Sequence, residues 1–359
     1  MQEPSIHFER ITKLREILKS KGVSSFLTTK RENFFYLTGF TGSAGVFYTD
    51  LEESYLFTDS RYLIQSKNEV SGSEVIIYKK GAEVYERLKK MKQKEIGFNP
   101  ANISFNLYNT ILESLPKVKL KGVGGVVEGL RMIKDEHELK ILKEAITIAE
   151  KSLVETLASL EVGDTEISIK NRLECAMRNN GGEKESFDTI VVSGENSALI
   201  HGRPSNKSIK EGELILIDFG VKHKNYCSDK THTVMLGEPT KEQRKVYDIV
   251  KKANEIAIAE IKDGVSIKHI DSIARDYIKK SGYGDYFLHG LGHGIGLEVH
   301  EMPLISSLNK TILKEGMVIT VEPGIYMENF GGIRLEDMIY ITNTGAKKLT
   351  TASSRLELK

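Results

Sequence analysis

Three histidines lie close together in a glycine-rich stretch towards the end of the 359-residue chain. The stretch covers residues 287–300 and reads FLHGLGHGIGLEVH, with His289, His293 and His300 separated by four glycines. Neutral imidazole is the commonest side-chain metal ligand, and glycine permits turns and close backbone approach. The pattern predicts a loop that gathers side chains around an ion or a polar substrate. The alternative is a surface loop with chance histidines, so the prediction depends on partners elsewhere in the chain.

Two aspartates lie on a predicted β-hairpin over residues 213–236, which read ELILIDFGVKHKNYCSDKTHTVML. Apolar runs on both sides of the polar centre favour two paired strands. The predicted turn is centred between His223 and Lys224. Asp218 then lies directly opposite Asp229, with the two Cβ atoms roughly 4.5–5.5 Å apart. Like charges in that arrangement destabilise a sheet, and a cation between them would remove the repulsion.

A second predicted hairpin, residues 317–342, opposes two glutamates in the same way; it reads MVITVEPGIYMENFGGIRLEDMIYIT. Its turn is centred near Asn329, and Glu322 and Glu336 are symmetric about that residue. Asp337 follows Glu336 and points to the other face of the strand, where an exposed charge or a local salt bridge is expected. One opposed pair can be an accident of register, but two pairs and a histidine loop favour a shared site.

The two pairs of carboxylates and one imidazole from the histidine loop form a ligand set suited to Mn, Co, Fe or Zn. The set is too large for one tetrahedral zinc. Two metals about 3.5–4 Å apart, sharing bridging carboxylates, would use all of it. Such a pair lowers the pKa of a bridging water and holds a carbonyl under attack, so the spacing predicts hydrolytic chemistry.

The order of predicted helices and strands indicates an α/β (α+β) fold of two domains. Residues 1–125 alternate short strands with helices and predict a small α/β domain. Residues 126–359 form the second domain, whose two halves each place two helices before strands. Gly163 and Gly264 hold equivalent positions 101 residues apart. An internal repeat is therefore predicted, with a site on its pseudo-symmetry axis.

The composition excludes several other functions. The 51 basic and 50 acidic residues give a net charge of +1, which provides no one-sided field for nucleic acid or an anionic membrane. No signal peptide and no apolar run near the roughly 20 residues of a membrane helix is visible. Two cysteines make no disulfide framework, and a cytoplasmic protein is expected. Phosphate-binding loops and nucleophile elbows are absent from the sequence.

At these residues the chain resembles the pita-bread metallopeptidases, in the branch of Xaa-Pro aminopeptidases and prolidases. The motifs that carry the resemblance are IDFG (217–220), YCSDKTHT (226–233), HGLGHGIGLEVH (289–300), EPGIY (322–326) and GGIRLED (331–337). The similarity covers nearly the whole chain, because NFFYLTGF and FTDSRY resemble the small creatinase-like amino-terminal domain of that branch. It implies such a domain followed by a pseudo-symmetric pita-bread catalytic domain.

The resemblance also implies a cofactor, namely two divalent metal ions per chain. Mn or Co is the usual metal of the family, with Zn or Fe as alternatives. Asp218 would hold one metal, and Asp229 and Glu336 would bridge both. His293 and Glu322 would complete the other metal site. The same five residues include both carboxylate pairs of the predicted hairpins.

Five residues acquire catalytic roles from the resemblance. His201, in the segment ALIHGRPS, with His289 and His300 would bind substrate and stabilise the tetrahedral intermediate. Glu322 would handle the proton of the attacking water while remaining a ligand. Arg334 would orient substrate or ligands from the strand that carries Glu336.

The implied reaction is hydrolysis of the peptide bond between an N-terminal residue and a following proline. The first expectation is an Xaa-Pro aminopeptidase, a homodimer acting on peptides with proline at the second position. A prolidase, which acts on Xaa-Pro dipeptides, is the alternative. A non-catalytic binding module, a metal-free enzyme acting on a small amidine such as creatine, and a methionine aminopeptidase stay open, although no ligand is missing here.

One position departs from the family pattern. The segment DxTRT usually has arginine where this chain has His232. A guanidinium group, which is always charged, is thereby replaced by an imidazole that can titrate. The exchange is expected to affect local substrate contacts or charge near the ligands, without removing a ligand.

Overall fold

The computed structural model describes residues 5–351 and 355–358. The chain divides into two compact units, Met1–Arg131 and Met132–Lys359. Both units combine helices with sheets, as the sequence predicts. Among the described residues, the structure contains no helix with the length and apolar character needed to cross a membrane.

The first unit is built on one six-stranded sheet with the order β4-β3-β2-β1-β5-β6. Its strands are β1 (Ser25–Thr28), β2 (Val46–Asp50), β3 (Ser54–Asp59), β4 (Glu74–Tyr78), β5 (Glu95–Phe98) and β6 (Lys119–Gly122). Its helices are α1 (Ile6–Ser20), α2 (Arg31–Thr38), α3 (Leu63–Glu69), α4 (Ala82–Lys90), α5 (Phe105–Ser114) and α6 (Val126–Arg131). The three strands β1, β2 and β3 pair antiparallel, whereas the outer strands join in parallel. Apolar side chains such as Tyr48 and Phe57 are buried against the helices.

The second unit contains two pairs of helices in equivalent positions. The helices are α7 (Glu136–Ala158), α8 (Glu166–Asn179), α9 (Lys241–Ala259) and α10 (Ile267–Lys280). The longer helices α7 and α9 each begin with a capping box, at Asp135 and at Thr240, which satisfies two amide groups at each helix start. Gly163 and Gly264 both adopt positive φ, 97° and 82°, a conformation that glycine adopts without a steric penalty. The two halves therefore show the repeat that the sequence predicts.

Strands form the rest of the second unit. They are β7 (Lys184–Glu185), β8 (Ile190–Ser193), β9 (Leu214–Phe219), β10 (Val221–His223), β11 (Tyr226–Cys227), β12 (Lys230–Leu236), β13 (Gly292–Gly294), β14 (Glu301–Ile305), β15 (Val318–Val321), β16 (Gly324–Met327), β17 (Gly331–Arg334), β18 (Asp337–Ile341), β19 (Ala346–Lys348) and β20 (Glu357–Leu358). One sheet has the order β20-β12-β9-β8 and another β14-β13-β15-β18-β19, while β16 and β17 form a separate hairpin. Each half of the repeat therefore supplies strands to position a common site.

Two apolar cores hold these sheets against the helices. The core of the first half includes Leu173 of α8 and Ile217 of β9. The core of the second half includes Ile270 of α10 and Ile319 of β15. All four side chains are fully buried, so the strands that carry the polar candidates are anchored by apolar packing on their other face.

Candidate metal centre

The five predicted ligands lie around one cavity of about 1010 Å³ in the second unit. Asp218 belongs to β9, and Asp229 directly precedes β12. His293 is the middle residue of β13, Glu322 follows β15, and Glu336 separates β17 from β18. Residues far apart in the chain are thus brought together because both halves of the repeat contribute strands to the cavity.

Three of these residues approach one another closely enough to share an ion. One ligand atom each from Asp229, His293 and Glu336 lies within 4.8 Å of the other two, and all three residues are buried. The Nε2 atom of His293 lies 3.6 Å from Oδ2 of Asp229 and 3.4 Å from Oε1 of Glu322. The fifth predicted ligand, Asp218, accepts a 2.6 Å hydrogen bond from Nη2 of Arg334.

The register of the first hairpin differs from the prediction by two residues. Asp218 pairs with Thr231, not with Asp229. The turn is centred one residue later than predicted, because Lys224 and Asn225 both adopt positive φ, 47° and 70°, as a type I′ turn requires. Direct opposition of the two aspartates was therefore wrong. They are diagonal neighbours on the same face, where side chains still interact.

The register of the second hairpin confirms the prediction. Gly324 pairs with Arg334, and Val321 pairs with Asp337, so the pairing is symmetric about Asn329 on both sides of the glutamates. Asn329 itself has a φ of 62°. Glu322 and Glu336 are consequently opposed, as the sequence predicts.

The donor set fits a divalent cation. Oδ1 of Asp218 and Oε1 of Glu336 are buried without a hydrogen-bond partner among the described residues, and an unpaired buried oxygen of this kind is costly. Burial and neighbouring carboxylates raise the pKa of Asp229 and of Glu336. Burial also raises the pKa of Glu322 to about 8. A cation among these groups would remove the repulsion and satisfy the free oxygens.

Two threonines hold the candidate ligands in place. The hydroxyl of Thr231 donates to Oε2 of Glu336 at 2.8 Å. The hydroxyl of Thr320 lies 3.3 Å from Oε1 of Glu322 and accepts a 3.0 Å bond from the amide of His293. Contacts of this type orient metal ligands. The sequence prediction missed both residues, although alternation along a strand places each on the face of the glutamate or aspartate two positions away.

The imidazole of His293 is oriented for ligation through Nε2. Its Nδ1 atom lies 3.1 Å from the carbonyl oxygen of Gly294, so that nitrogen carries the proton in the neutral ring and Nε2 keeps its lone pair. Burial, followed by the nearby His300, lowers the pKa of His293 to about 4. The neutral ring, which is the metal-binding form, therefore predominates at neutral pH.

Tyr326 joins His289 to Arg334, and sequence reasoning did not single it out. Its hydroxyl lies 2.9 Å from Nε2 of His289 and accepts a 2.8 Å hydrogen bond from Nη1 of Arg334. Nδ1 of His289 lies 2.8 Å from the carbonyl oxygen of Gly290. Burial lowers the pKa of His289 to about 4. Both nitrogens of His289 thus have partners inside the protein, so its predicted donation to the substrate would require the Tyr326 contact to break.

The two remaining predicted histidines are open to the cavity. His201 and His300 both line it, and both are exposed residues. The ring of His300 packs edge to face on the ring of His293, with centroids 4.4 Å apart. Both imidazoles are therefore placed where a bound substrate would meet them.

His232 lies away from the cavity, contrary to the expected effect on substrate contacts. Its side chain is only 2% exposed and is not among the residues that line the cavity. Neighbouring residues on a strand point to opposite faces, and Thr231 is the one that faces the ligands. Burial, followed by the charge of Lys230, lowers the pKa of His232 to about 3. His232 itself therefore makes no part of the lining of the cavity.

A buried ion pair lies behind Glu336. Nζ of Lys230 donates to Oδ1 of Asp337 at 2.8 Å and to the carbonyl oxygen of Glu336 at 3.1 Å. Nζ of Lys348 lies 2.8 Å from the other carboxylate oxygen of Asp337. Burial alone would raise the pKa of Asp337, but these two lysines hold it below its ordinary value. The expected local salt bridge of Asp337 is present, although the carboxylate is buried and not exposed.

This repeated α/β unit, with carboxylates and an imidazole around one cavity, defines a metal-dependent hydrolase of the pita-bread type. The sequence of residues 140–343 matches metallopeptidase family M24. The sequence of residues 10–133 matches the creatinase/prolidase N-terminal domain. The chain belongs to metallopeptidase family M24. Binding of divalent metal follows from that family and agrees with the cluster of Asp229, His293 and Glu336.

The chain is similar to proteins named as Xaa-Pro dipeptidases and to one named as an X-Pro aminopeptidase. A Xaa-Pro dipeptidase of Pyrococcus furiosus is 39% identical over 97% of this chain and 99% of that protein. The solved Xaa-Pro dipeptidase of Bacillus anthracis is 37% identical with a TM-score of 0.95, over 98% of this chain and 100% of that one. The solved X-Pro aminopeptidase of Thermotoga maritima is 40% identical with a TM-score of 0.89, over 94% and 98% of the two chains.

Proposed function

We propose that the chain hydrolyses the bond between an N-terminal residue and a following proline, with Xaa-Pro dipeptides as its principal substrates. The observation that carries the proposal is the meeting of Asp218, Asp229, His293, Glu322 and Glu336 around one cavity. Similarity to dipeptidases that covers almost the full chain supports the dipeptide class. The sequence favoured an aminopeptidase, and the similarity to the Thermotoga maritima protein keeps that activity as the second candidate.

The proposed cofactor is a pair of divalent ions, Mn or Co, with Zn or Fe as alternatives. Asp218 would hold one ion, Asp229 and Glu336 would bridge the two, and His293 and Glu322 would complete the other. When bound, the ions would lower the pKa of water and polarise the scissile carbonyl. The orphan oxygens of Asp218 and Glu336 are the structural support for this assignment.

The chain's own residues supply the remaining steps. Glu322, whose Oε1 atom lies 3.4 Å from Nε2 of His293, can accept the proton of the attacking water once metal binding has displaced its own proton. His201 and His300 line the cavity and can donate to the developing oxyanion, and one such donor contributes roughly 3–4 kcal/mol. Arg334 fixes Asp218 through its 2.6 Å bond. Tyr326, which also contacts His289, accepts a hydrogen bond from the guanidinium of Arg334 and holds it in that position.

The cavity wall also contains apolar side chains that can contact the proline ring. Proline lacks an N–H, so a peptidase cannot recognise its nitrogen through a hydrogen bond and needs apolar contact instead. Phe187, Ile190, Val299 and Leu304 line the cavity. These side chains can pack against a pyrrolidine ring in the bound substrate.

Removal of Glu336 tests the proposal. The wild-type protein should cleave Ala-Pro only when a divalent metal such as Mn or Co is supplied. Glu336→Ala should lose turnover and bound metal together, because it removes the bridging carboxylate. Glu328→Ala is the matched control, since Glu328 is exposed at the tip of the same second hairpin. Turnover is measured by proline release and metal content by elemental analysis. Metal-independent cleavage of Ala-Pro, or full activity in Glu336→Ala, would contradict the proposal.

Further substrates separate the other candidates. Preferred cleavage of Ala-Pro-Ala over Ala-Pro would favour the aminopeptidase, and cleavage of Met-Ala over Met-Pro would favour a methionine aminopeptidase. Binding of Xaa-Pro peptides without turnover in every metal would indicate a non-catalytic module. Creatine hydrolysis by metal-free protein would indicate the amidine-acting alternative.

The proposal includes a cytoplasmic homodimer. Both cysteines, Cys175 and Cys227, are free, and free thiols persist in reducing compartments. The homodimer rests on the resemblance in sequence, and sedimentation at several protein concentrations tests it.

A further inference from the structure

Arg203 is a basic residue of the cavity wall that the roles above leave unassigned. It lines the cavity and is exposed. Within the described part of the chain it has no hydrogen bond, ion pair or ring contact. Lys170 lines the same cavity but donates to Oε2 of Glu174 at 3.0 Å. Arg334 is engaged by Asp218. Arg203 is therefore a cation whose guanidinium is free to bind a ligand.

The backbone that carries Arg203 is fixed although its side chain is free. Glu166 is fully buried, and its Oε2 atom accepts bonds from the amide and the hydroxyl of Ser205 at 3.0 and 2.7 Å. The amide of Gly202 donates to the carbonyl of Leu199 at 2.9 Å. A Cβ atom at Gly202 would lie 2.8 Å from a methyl carbon of Val192, so the loop is packed too closely there for a larger residue.

The same loop touches the metal centre. The carbonyl oxygen of Ile200 accepts a 3.3 Å bond from Nη1 of Arg334, and Arg334 also holds Asp218. His201 and Arg203 both line the cavity from this loop. A ligand that reaches the centre therefore lies beside the segment that presents the free guanidinium.

The proposed substrates differ in charge at the position that follows the scissile bond. In an Xaa-Pro dipeptide the proline carries a free carboxylate, whereas in a longer peptide the same carbon belongs to a neutral amide. A guanidinium stays charged at all physiological pH values and matches a carboxylate through two parallel hydrogen bonds. An amide offers one neutral oxygen, which binds a guanidinium more weakly.

We propose that Arg203 binds the C-terminal carboxylate of the dipeptide and is the residue that makes the site prefer dipeptides over longer peptides. This inference rests on the proposed function and names the residue that determines the preferred length of the peptide substrate. Arg203 acts in substrate binding and takes no part in the hydrolytic step.

Kinetics of Arg203→Met on a matched pair of substrates test this inference. Ala-Pro and Ala-Pro-amide differ only in the charge at the proline end. In the Mn- or Co-loaded protein, Arg203→Met should raise the KM for Ala-Pro by roughly 10- to 100-fold, the range of a hydrogen bond between charged groups. The KM for the amide should change little, and kcat for Ala-Pro should change less than its KM. Arg203→Lys should keep part of the preference for the acid over the amide. Lysine retains the positive charge but lacks the planar guanidinium that donates two parallel hydrogen bonds.

Lys170→Met is the matched control, because it removes the same charge from the same cavity wall. It should leave the ratio of acid to amide turnover as in the wild type. Calorimetric titration with L-proline gives a second readout, and Arg203→Met should weaken binding of L-proline but not of prolinamide.

The outcomes separate the two proposals. An equal effect of Arg203→Met on acid and amide, or the same change of ratio in Lys170→Met, would overturn the role of Arg203 and leave the peptidase function intact. Failure of the metal-loaded wild type to cleave Ala-Pro would overturn the proposed function, and the role of Arg203 with it.

Discussion

Glu322 shows how one buried side chain links metal chemistry to stability. Its oxygen lies 3.4 Å from Nε2 of His293, and burial raises its pKa to about 8 from an ordinary value of 4.5. Without metal the carboxyl group keeps its proton at neutral pH. Metal binding must displace that proton, so metal affinity should rise with pH in this range.

The same shift predicts how the stability of the metal-free protein depends on pH. Between pH 4.5 and about 8 the folded state holds a proton on Glu322 that the unfolded state has released, so the free energy of unfolding should fall as pH rises through this window. The lowered pKa values of His289 and His293, both about 4, have the opposite effect, but only below their ordinary value of 6.5. The fall should therefore be clearest from pH 6.5 to 8.

Urea unfolding in the presence of a chelator measures this dependence. Glu322→Gln should make the decline between pH 6.5 and 8 shallower, because the amide does not titrate. Some decline should remain, since the pKa values of Asp229 and Glu336 are raised as well. Glu328→Gln should behave as the wild type. A decline of equal slope in Glu322→Gln, or a stability that rises with pH, would rule out this explanation.

At the residue scale the sequence singled out five candidate ligands that line one cavity, but it missed the residues that support them. Alternation in the hairpins was enough to select the carboxylates, because a strand places every second side chain on one face. Tyr326 was missed since its role depends on His289, which lies 37 positions away in the chain. Distant contacts of this kind leave no periodic signal in the sequence.

Helix α8 positions the candidate site through its first residue. Glu166 accepts hydrogen bonds from the amide and hydroxyl of Ser193 at 2.7 and 2.9 Å, as well as those from Ser205. The carboxylate thereby joins the end of β8 to the loop that carries His201 and Arg203. Each buried amide left without a partner costs about 1–3 kcal/mol, so this loop depends on one side chain.

Replacement of Glu166 should loosen that loop. Glu166→Ala is expected to speed amide hydrogen exchange across residues 193–207 and to raise the KM for Ala-Pro, because the backbone below Arg203 loses its anchor. Asp135→Ala is the control. It removes the capping box of α7, which costs about 1 kcal/mol, and should leave exchange in 193–207 unchanged. Equal exchange in Glu166→Ala and the wild type would show that the loop is held by other contacts.

The two hairpins explain why one register was predicted and the other was not. The segment MENFGG placed the second turn correctly, and Asn329 at its centre adopts a left-handed φ of 62°. In the first hairpin the polar run gave no such marker except Asn225, a residue that tolerates positive φ. Lys224 shares that conformation with a φ of 47°, although lysine rarely adopts it. Because side chains alternate with a period of two, the two-residue displacement kept every side chain on its predicted face. Asp218 and Asp229 therefore both line the cavity despite the shifted register.

For the whole second unit, the repeat determines where the site can lie. The first half supplies Asp218 and Asp229 on neighbouring strands β9 and β12, and the second half supplies His293, Glu322 and Glu336. From the spacing of glycines and helices, the sequence predicted a repeat with a site on its pseudo-symmetry axis. It could not predict the cavity, because the volume between two sheets depends on packing that no local pattern records.

Anomalous X-ray diffraction from crystals of the Mn-loaded protein would locate the bound ions. Two anomalous peaks about 3.5–4 Å apart are expected in the cavity. Asp229 and Glu336 should contact both peaks, Asp218 one of them, and His293 and Glu322 the other. A single peak, or peaks outside the group formed by these five residues, would show that they do not hold a pair of metal ions.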